Sequence, residues 1–387
     1  MKKILIASTA LVAAGMITAG SASASEKIKL NLGGYSKWWV VGAWQDSGYE
    51  AAFGAGSGSA NNVDVQGENE VWFGGSTTLD NGLQVGIDMQ LRTGGRSDSN
   101  TAYGTADVID ESYVWVSGGF GKVIVGTENN GTYLLHVTAP DAAGNWNEGG
   151  VMMGNQAIAR PASVTTLRGG NTTAILTDGD ADKITYVAPA FYGLTLGASY
   201  VPNTSEDNQN VYGSGGSSFS AASEIYGVGA LYANTFGGVG VKVSAGYVTY
   251  DVAAATDRSQ ELAFGTQLSY AGFTLGGSYR NQSENAAQNQ SVTNTGYGWD
   301  VGLQYATGPY AVSLAYFNSK VQGSATVNGE DEVTAYQLSG KYNMGAGVDL
   351  LASVGHIEYD GEEASVSGGD VNHNEGWTVM TGLSLQF

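Results

Sequence analysis

Apolar and polar residues alternate with a period of two along much of this 387-residue chain. In residues 84–92, for example, Val85, Ile87, Met89 and Leu91 alternate with polar residues or glycine. Successive side chains of a β-strand point to opposite faces, so such a stretch predicts a strand with one apolar and one polar face. We therefore predict an all-β protein. The same alternation recurs at residues 27–46, 239–252, 261–270, 273–280, 297–305, 334–342 and 377–387.

Short turns and long polar connections alternate between the predicted strands. Seven connections are short, and several contain the Asn-Gly or Gly-Gly pairs that accept positive φ: 80–82, 118–121, 189–193, 235–238, 271–272, 307–308 and 344–347. Eight longer connections lie at about 47–66, 93–108, 129–181, 203–223, 253–257, 281–294, 319–331 and 361–374. With one further strand at each terminus, the alternation predicts sixteen strands. Short periplasmic turns, long extracellular loops and an even strand number indicate a transmembrane antiparallel β-barrel.

Aromatic residues at the ends of the apolar faces favour a membrane barrel over a soluble β-sandwich. A sandwich shows the same alternation, and the sequence alone does not tell which face points inward. Charged and amide groups on the polar faces suit a water-filled interior. Aromatic side chains at strand ends suit the lipid headgroup level. Tyrosines of this kind are Tyr200, Tyr232, Tyr247, Tyr270, Tyr279, Tyr305, Tyr316 and Tyr342.

Residues 1–24 have the pattern of a cleaved export signal. Lys2 and Lys3 precede an apolar stretch at 4–17, and the small residues 22–24 suit a signal peptidase. Residues 25–387 contain no linker and are predicted to form a single barrel domain. The chain has 59 glycines and only 5 prolines, which fits many strands with tight turns and does not fit disorder.

Charge and residue content exclude several classes of function. A formal net charge of −20 argues against nucleic-acid binding, which requires a basic patch. Cysteine is absent, so disulfides and thiolate chemistry are excluded. The histidines, His136, His356 and His373, are far apart in sequence and match no zinc motif or catalytic triad. We therefore expect neither an enzyme nor a cofactor or metal centre.

Two stretches of sequence resemble a known family. Residues 112–126 resemble the fourth and fifth strands of the Gram-negative general porins. The residues Trp377, Leu383, Leu385 and Phe387 resemble the C-terminal signature that the barrel assembly machinery reads. The likeness covers the whole predicted mature chain. It implies a sixteen-stranded homotrimer in the outer membrane, in contact with the lipid bilayer and outer-leaflet lipopolysaccharide. The implied function is a water-filled passive diffusion channel for ions and small hydrophilic solutes.

The resemblance also implies where such a channel is narrowest. In the family, the third long loop folds into the lumen and sets acidic groups against basic residues of the wall. Here that loop, 129–181, is the longest of the eight. Its candidate constriction residues are Asp141, Glu148, Arg160 and Arg168. Strand parity gives the candidate pore-wall residues Lys37, Asp88, Arg92, Lys242 and Arg280. Thr127 stands where the family often carries an arginine. Since 36 acidic residues face 16 basic ones, we expect a mild preference for cations.

Other interpretations stay open at this point. A substrate-specific channel on the same barrel could use Tyr35, Trp39 and Trp72 as an aromatic slide for sugars. A secreted β-rich adhesin would suit the acidic, glycine-rich loops, although it would not need the C-terminal signature or the alternation of turns and loops. The acidic stretch from Asp360, with His373 and Glu375 beyond it, could bind a divalent cation. Its spacing matches no defined loop, and a solvated external loop is the simpler interpretation.

Overall fold

The computed structural model describes residues 27–53, 62–95, 109–146, 157–168, 170, 172–177, 180–204, 222–252, 255–285, 292–324, 329–362 and 371–387. The predicted export signal and Glu148 therefore lie outside the described residues. Within the described ranges the structure contains two short helices, α1 (Ser47–Phe53) and α2 (Gly131–Leu134). No helix of this part of the chain is both long and apolar enough to span a membrane.

The same ranges contain sixteen strands, as the sequence predicts. They are β1 (Asn31–Gln45), β2 (Val63–Thr78), β3 (Gln84–Gly95), β4 (Ile109–Gly118), β5 (Gly121–Gly126), β6 (Lys183–Val187), β7 (Leu194–Asn203), β8 (Ala222–Phe236), β9 (Val239–Val252), β10 (Ser259–Tyr270), β11 (Phe273–Ser283), β12 (Val292–Thr307), β13 (Tyr310–Ser324), β14 (Asp331–Gly345), β15 (Val348–Asp360) and β16 (His373–Gln386).

The strands form one closed antiparallel barrel. Each strand pairs with its neighbours in sequence, and β1 pairs with β16 to close the sheet. The closing register runs from Tyr35 opposite Gln386 to Gln45 opposite Gly376. Closure leaves no unpaired strand edge, which a membrane-embedded sheet requires because lipid offers no hydrogen-bond partners. The predicted antiparallel β-barrel of sixteen strands is confirmed.

Turn residues explain why the seven short connections are tight. Between β10 and β11, Ala271 and Gly272 both have positive φ, at 49° and 90°. This is the backbone of a two-residue hairpin whose twist matches that of the flanking strands. A Cβ added at Gly272 would lie 2.6 Å from the carbonyl oxygen of Ala306, so a larger residue would push on the next strand. The short turns thus fix the register on this rim of the barrel.

The two faces of the strands differ in chemistry and exposure. On β16, Val379 and Leu383 are 48% and 43% exposed, whereas Thr378 and Ser384, one residue away, are buried. An exposed apolar face with a buried polar face reverses the arrangement of a soluble protein and matches a barrel surrounded by lipid. Aromatic pairs mark both ends of the exposed band. Phe273–Tyr305 lies beside the short turns, and Trp299–Tyr316 lies nearer the long loops.

The described residues of the third loop, which runs from 127 to 182 between β5 and β6, pack against the polar face of the strands. Its apolar side chains join wall residues in buried clusters. One contains Trp146, Ile158 and Val164 of the loop with Phe317 and Ile357 of the wall. This burial fixes the place of the described part of the loop, in which α2 is the only regular element.

Candidate functional site

The third loop begins with a helical turn that touches the wall backbone. Asn130 caps α2, since its side-chain oxygen accepts hydrogen bonds from the backbone N–H groups of Thr132 and Tyr133 at 2.8 and 3.0 Å. A Cβ added at Gly229 of β8 would lie 2.6 Å from the carbonyl oxygen of Gly131. Glycine at this wall position therefore allows the loop backbone to lie directly on the strand.

From α2 the loop follows the wall strand by strand. Its backbone N–H groups donate to polar wall side chains: Val137 to Ser244 Oγ on β9 at 3.0 Å, and Ala142 to Ser313 Oγ on β13 at 2.8 Å. The side chain of Gln337 on β14 then donates to Asn145 Oδ1 at 2.6 Å. Wall hydroxyls and amides thus satisfy loop groups that burial would otherwise leave unpaired. We call residues 130–146 the outward pass.

A return pass, within residues 157–177, lies against the same strands in reverse order. It starts beside β1, where the Ala159 N–H donates to Gln45 Oε1 at 3.1 Å. The Thr165 N–H donates to Asp331 Oδ2 on β14 at 2.7 Å, and the Arg168 N–H donates to Gln282 Oε1 on β11 at 3.0 Å. Much of the wall therefore holds the third loop twice, once through the outward pass and once through the return pass.

A fully buried ion pair joins the end of the return pass to the wall. Arg280 of β11 and Glu261 of β10 are both 0% exposed, and Arg280 Nη2 lies 2.6 Å from Glu261 Oε2. Arg280 Nη1 also donates to the carbonyl oxygens of Ala174 and Thr172 at 2.7 and 3.4 Å. The Thr177 hydroxyl donates to Glu261 Oε1. These two wall residues therefore hold three residues of the loop, and we call the pair the loop clamp.

Carboxyl groups are concentrated on the polar face of β2 to β4. We call the following set the acidic wall: Glu68, Glu70, Asp88, Asp110 and Glu111. Glu70 accepts hydrogen bonds from Tyr35 Oη and Trp72 Nε1, both at 2.9 Å. Glu111 accepts from Gln90 Nε2 and Asn129 Nδ2, both at 2.7 Å. These hydrogen bonds fix the orientation of the Glu70 and Glu111 carboxyl groups.

Basic groups beside the acidic wall are paired with it. Lys37 Nζ lies 3.3 Å from Glu68 Oε2 and 4.9 Å from the centre of the Tyr35 ring. Arg92 forms an ion pair with Asp110 and lies 3.7 Å from Asp180 Oδ2 at the end of the third loop. Lys37 and Arg92 are thus both paired with acids of this face, while Glu70, Asp88 and Glu111 form no ion pair within the described residues.

The predicted pore-wall residues all occupy the polar face, but their surroundings differ. Lys37 and Arg92 lie in the ion pairs just described, and Asp88 is partly buried on β3. Lys242 is partly buried on β9, on the polar face shared with Ser244. Arg280 has the predicted orientation, yet the third loop covers it completely. Its contacts are those of an anchor for the loop.

The predicted loop residues serve mainly to shape the loop. Asp141 accepts hydrogen bonds from the backbone N–H of Asn145 at 2.7 Å and from Ser313 Oγ at 3.1 Å, so it closes a turn against β13. Arg160 is exposed and donates to Thr166 Oγ1 at 3.0 Å. Arg168 Nη2 lies 2.9 Å from Glu284 Oε1, at the end of β11. Only Arg160 of the three lies well exposed.

Several residues around the lumen were missed from the sequence. Glu70 is directly opposite the predicted Arg92. Glu111 is directly opposite Gln90, which shares the polar face of β3 with the predicted Asp88. Strand parity could therefore have found both carboxyl groups. Glu261 carries no comparable signal, because its importance comes from Thr177, 84 residues away in sequence. Trp39 has the parity suggested for an aromatic slide but is 1% exposed beneath Ala143 of the loop. It therefore offers no surface to a passing sugar.

His136 of the outward pass is held uncharged by its surroundings. Burial and the nearby Arg280 guanidinium lower the pKa of His136 to about 4. Its Nε2 lies 3.2 Å from Thr173 Oγ1 on the return pass, and Thr173 Oγ1 lies 2.6 Å from Ser278 Oγ of the wall. The imidazole therefore bridges the two passes in its neutral form.

We expect this histidine to make the barrel less stable in acid. In the unfolded chain its pKa is about 6.5, so between roughly pH 6.5 and 4 the unfolded state binds more protons and stability falls as pH falls. A His136→Gln variant keeps a neutral polar group there. Its unfolding temperature in detergent, followed by circular dichroism, should fall less steeply over this pH range than that of the parent protein. Identical slopes would contradict the assignment.

Comparisons with known proteins agree with this architecture. A family model described as Gram-negative porin matches residues 7–362. A porin structure refined at 1.8 Å has a TM-score of 0.58 and 16% identity, covering 93% of this chain and 100% of its own. The anion-selective porin from Comamonas acidovorans has a TM-score of 0.60 and 15% identity, with coverage of 93% and 100%. At such identities the structural likeness shows the fold alone.

A sequence relative points to the same compartment. The major outer membrane protein of Pasteurella multocida is 30% identical over 135 residues, which are 34% of this chain and 36% of that protein. The chain thus spans about a third of the length of this relative in the match. The family model covers most of the chain, and family membership leaves no case for a soluble adhesin. The chain belongs to the Gram-negative porin family, and its closed barrel lies in the outer membrane.

Proposed function

We propose that this porin is a passive diffusion channel for ions and small hydrophilic solutes, narrowed by its third loop and mildly selective for cations. The supporting observation is the contrast between two parts of the wall. The loop's two passes line the polar face from β7 to β14 and reach β1. The acidic wall lies on β2 to β4, where described loop residues at either end, Asn129 and Asp180, make contact. Solutes therefore pass between the loop and carboxyl groups.

The charge of this passage favours cations. The acidic wall has five carboxyl groups, with Glu128 and Asp180 of the loop beside them, and its basic neighbours are Lys37, Arg92 and Lys122. Charges lining a water-filled constriction raise the local concentration of the opposite ion. Salt screens this effect, with a Debye length of about 10 Å at 0.1 M. The preference should therefore be strongest in dilute salt.

We expect a positive cation preference in a reversal-potential measurement across a potassium chloride gradient in a planar bilayer. A double variant that carries Asp88→Asn and Glu128→Gln should have a cation-to-anion permeability ratio lower by a factor on the order of two at low salt. Glu332→Gln is the matched control, because Glu332 pairs with Lys320 on the outer face of the barrel. Clear anion preference of the parent protein would refute the proposal, as would equal ratios in all three proteins.

Assembly and processing follow from the same proposal. We propose a homotrimer, removal of residues 1–24, insertion by the barrel assembly machinery and contact of the outer rim with lipopolysaccharide. The exposed apolar faces of the strands supply a surface on which copies could associate within the bilayer. Conductance steps in groups of three during the bilayer recordings would support the trimer. Single steps that close independently of one another would count against it.

A further inference from the structure

Three metal-ligating side chains converge on the outside of the barrel. Glu358 and Asp360 of β15 and His373 of β16 each offer one ligand atom, and these atoms all lie within 4.8 Å of one another. His373 Nδ1 lies 2.6 Å from Asp360 Oδ1. Strand pairing explains the convergence, because Asp360 is directly opposite His373. Residues of paired strands on one face bring their side chains together.

These residues share the outward face with lipid-facing residues. Along β16, His373 has the parity of Trp377 and Val379, both of which are exposed. Along β15, Glu358 and Asp360 have the parity of Val354. The three therefore lie beyond the aromatic residues, at the rim where the long loops leave the barrel. They take no part in the lumen, so the channel function does not account for them.

A second histidine extends this group. His356 is 7% exposed and lies between the rings of Tyr336 and Trp377, at centroid distances of 5.4 and 4.7 Å. Its Nδ1 is buried and has no hydrogen-bond partner among the described residues. Its Nε2 points to Glu375, with 3.5 Å between Nε2 and Oε2. Glu375 in turn is directly opposite Glu358. A buried imidazole thus lies beside a carboxylate that is directly opposite one of the three converging ligands.

We propose that Glu358, Asp360 and His373 bind a first-row divalent metal ion of the Zn²⁺ type at the outer rim. Imidazole favours zinc and similar ions, whereas Ca²⁺ takes six to eight oxygen ligands and Mg²⁺ retains its waters. The metal takes the place of the hydrogen bond between His373 and Asp360, whose proton is released to water, and the two ligands move apart to meet the ion. Glu375, directly opposite Glu358 and oriented by His356, adds negative charge beside the ion. The bound ion links β15 to β16 at the base of the last long loop.

Zinc titration of the whole detergent-solubilised porin, stripped with chelator, tests this assignment. Competition with a chromophoric zinc indicator should reveal one Zn²⁺ site per chain. Loss of a ligand in His373→Gln or Asp360→Asn should weaken binding at least on the order of tenfold. Asp64→Asn is the matched control, because Asp64 is an exposed acid on β2 away from the site. His136→Gln controls for the buried loop histidine.

The outcomes are decisive because every variant can be checked for a folded barrel by its conductance. Tight zinc binding that both ligand variants lose and both controls retain supports the site. Absence of zinc binding in the parent protein overturns it. Unchanged binding in both ligand variants, or displacement of Zn²⁺ by an equal concentration of Mg²⁺ or Ca²⁺, overturns it as well. The readout does not depend on ion selectivity, so the channel proposal can fail or succeed separately.

Discussion

Replacing Arg280 with methionine should release the end of the third loop and make the channel close at lower voltage. Glu261 would then be a buried carboxylate without its ion-pair partner, and the carbonyl oxygens of Thr172 and Ala174 would lose their donor. Breaking one side of a buried pair typically costs about 3–5 kcal/mol. Residues 172–177 of the loop form no helix or strand, so this segment yields more readily than the sixteen-stranded sheet. The strain is therefore expected to appear as loop movement.

Voltage ramps on single channels measure this effect directly. The Arg280→Met channel should show a lower closing voltage and noisier open current than the parent channel. Arg258→Met is the matched control, because Arg258 pairs with Asp251 in an exposed ion pair, which is worth only about 0–1 kcal/mol. That variant should keep the parent closing voltage.

A second substitution distinguishes the effect of the unpaired buried charge of Glu261 from the effect of losing the Arg280 side chain. In Glu261→Gln with Arg280→Met, the amide stays neutral and can still accept the hydrogen bond of the Thr177 hydroxyl. Replacing both partners of a buried pair is often close to neutral for stability. The double variant should therefore recover much of the parent closing voltage. If it closes as early as Arg280→Met alone, the buried charge is not the cause.

The barrel itself could be predicted because its signals are local. Period-two alternation depends on residues two apart, and turns such as 271–272 depend on one or two residues with positive φ. Each strand also pairs with its neighbour in sequence, so the order of turns and loops gives the topology directly. Strand number and the order of strand pairing therefore follow from short stretches of sequence, whereas the alternation alone does not tell which face points outward.

The roles of individual lumen residues could not be predicted in the same way. Strand parity gives Arg280 its correct face, but the contacts that cover it come from Thr172 and Ala174, more than 100 residues earlier in the chain. Asp141 looks like a pore acid by composition, yet its oxygens close a turn against Ser313. Such contacts depend on the path of a long loop, and no local pattern encodes that path.

Removing the C-terminal aromatic ring should impair assembly of the barrel far more than its stability. Phe387 is 64% exposed, so its ring buries little apolar area and contributes little to stability. The backbone of Phe387 pairs with Gly34 in both directions, at 3.0 and 3.1 Å, and a Phe387→Ala variant keeps those hydrogen bonds. The folded variant should thus unfold in detergent at nearly the parent temperature. Its amount in the outer membrane should fall severalfold, because the proposed assembly signature is lost.

Phe236→Ala provides the comparison that makes this result interpretable. Phe236 ends β8 beside a short turn and is 55% exposed, so it matches Phe387 in ring, rim and surroundings. A general effect of losing a lipid-facing aromatic would lower the membrane-inserted amount of both variants equally. A loss confined to Phe387→Ala, with both variants refolding equally well in detergent, means that the terminal ring is recognised before the barrel closes. Equal losses in the two variants would leave Phe387 as one more residue of the aromatic belt.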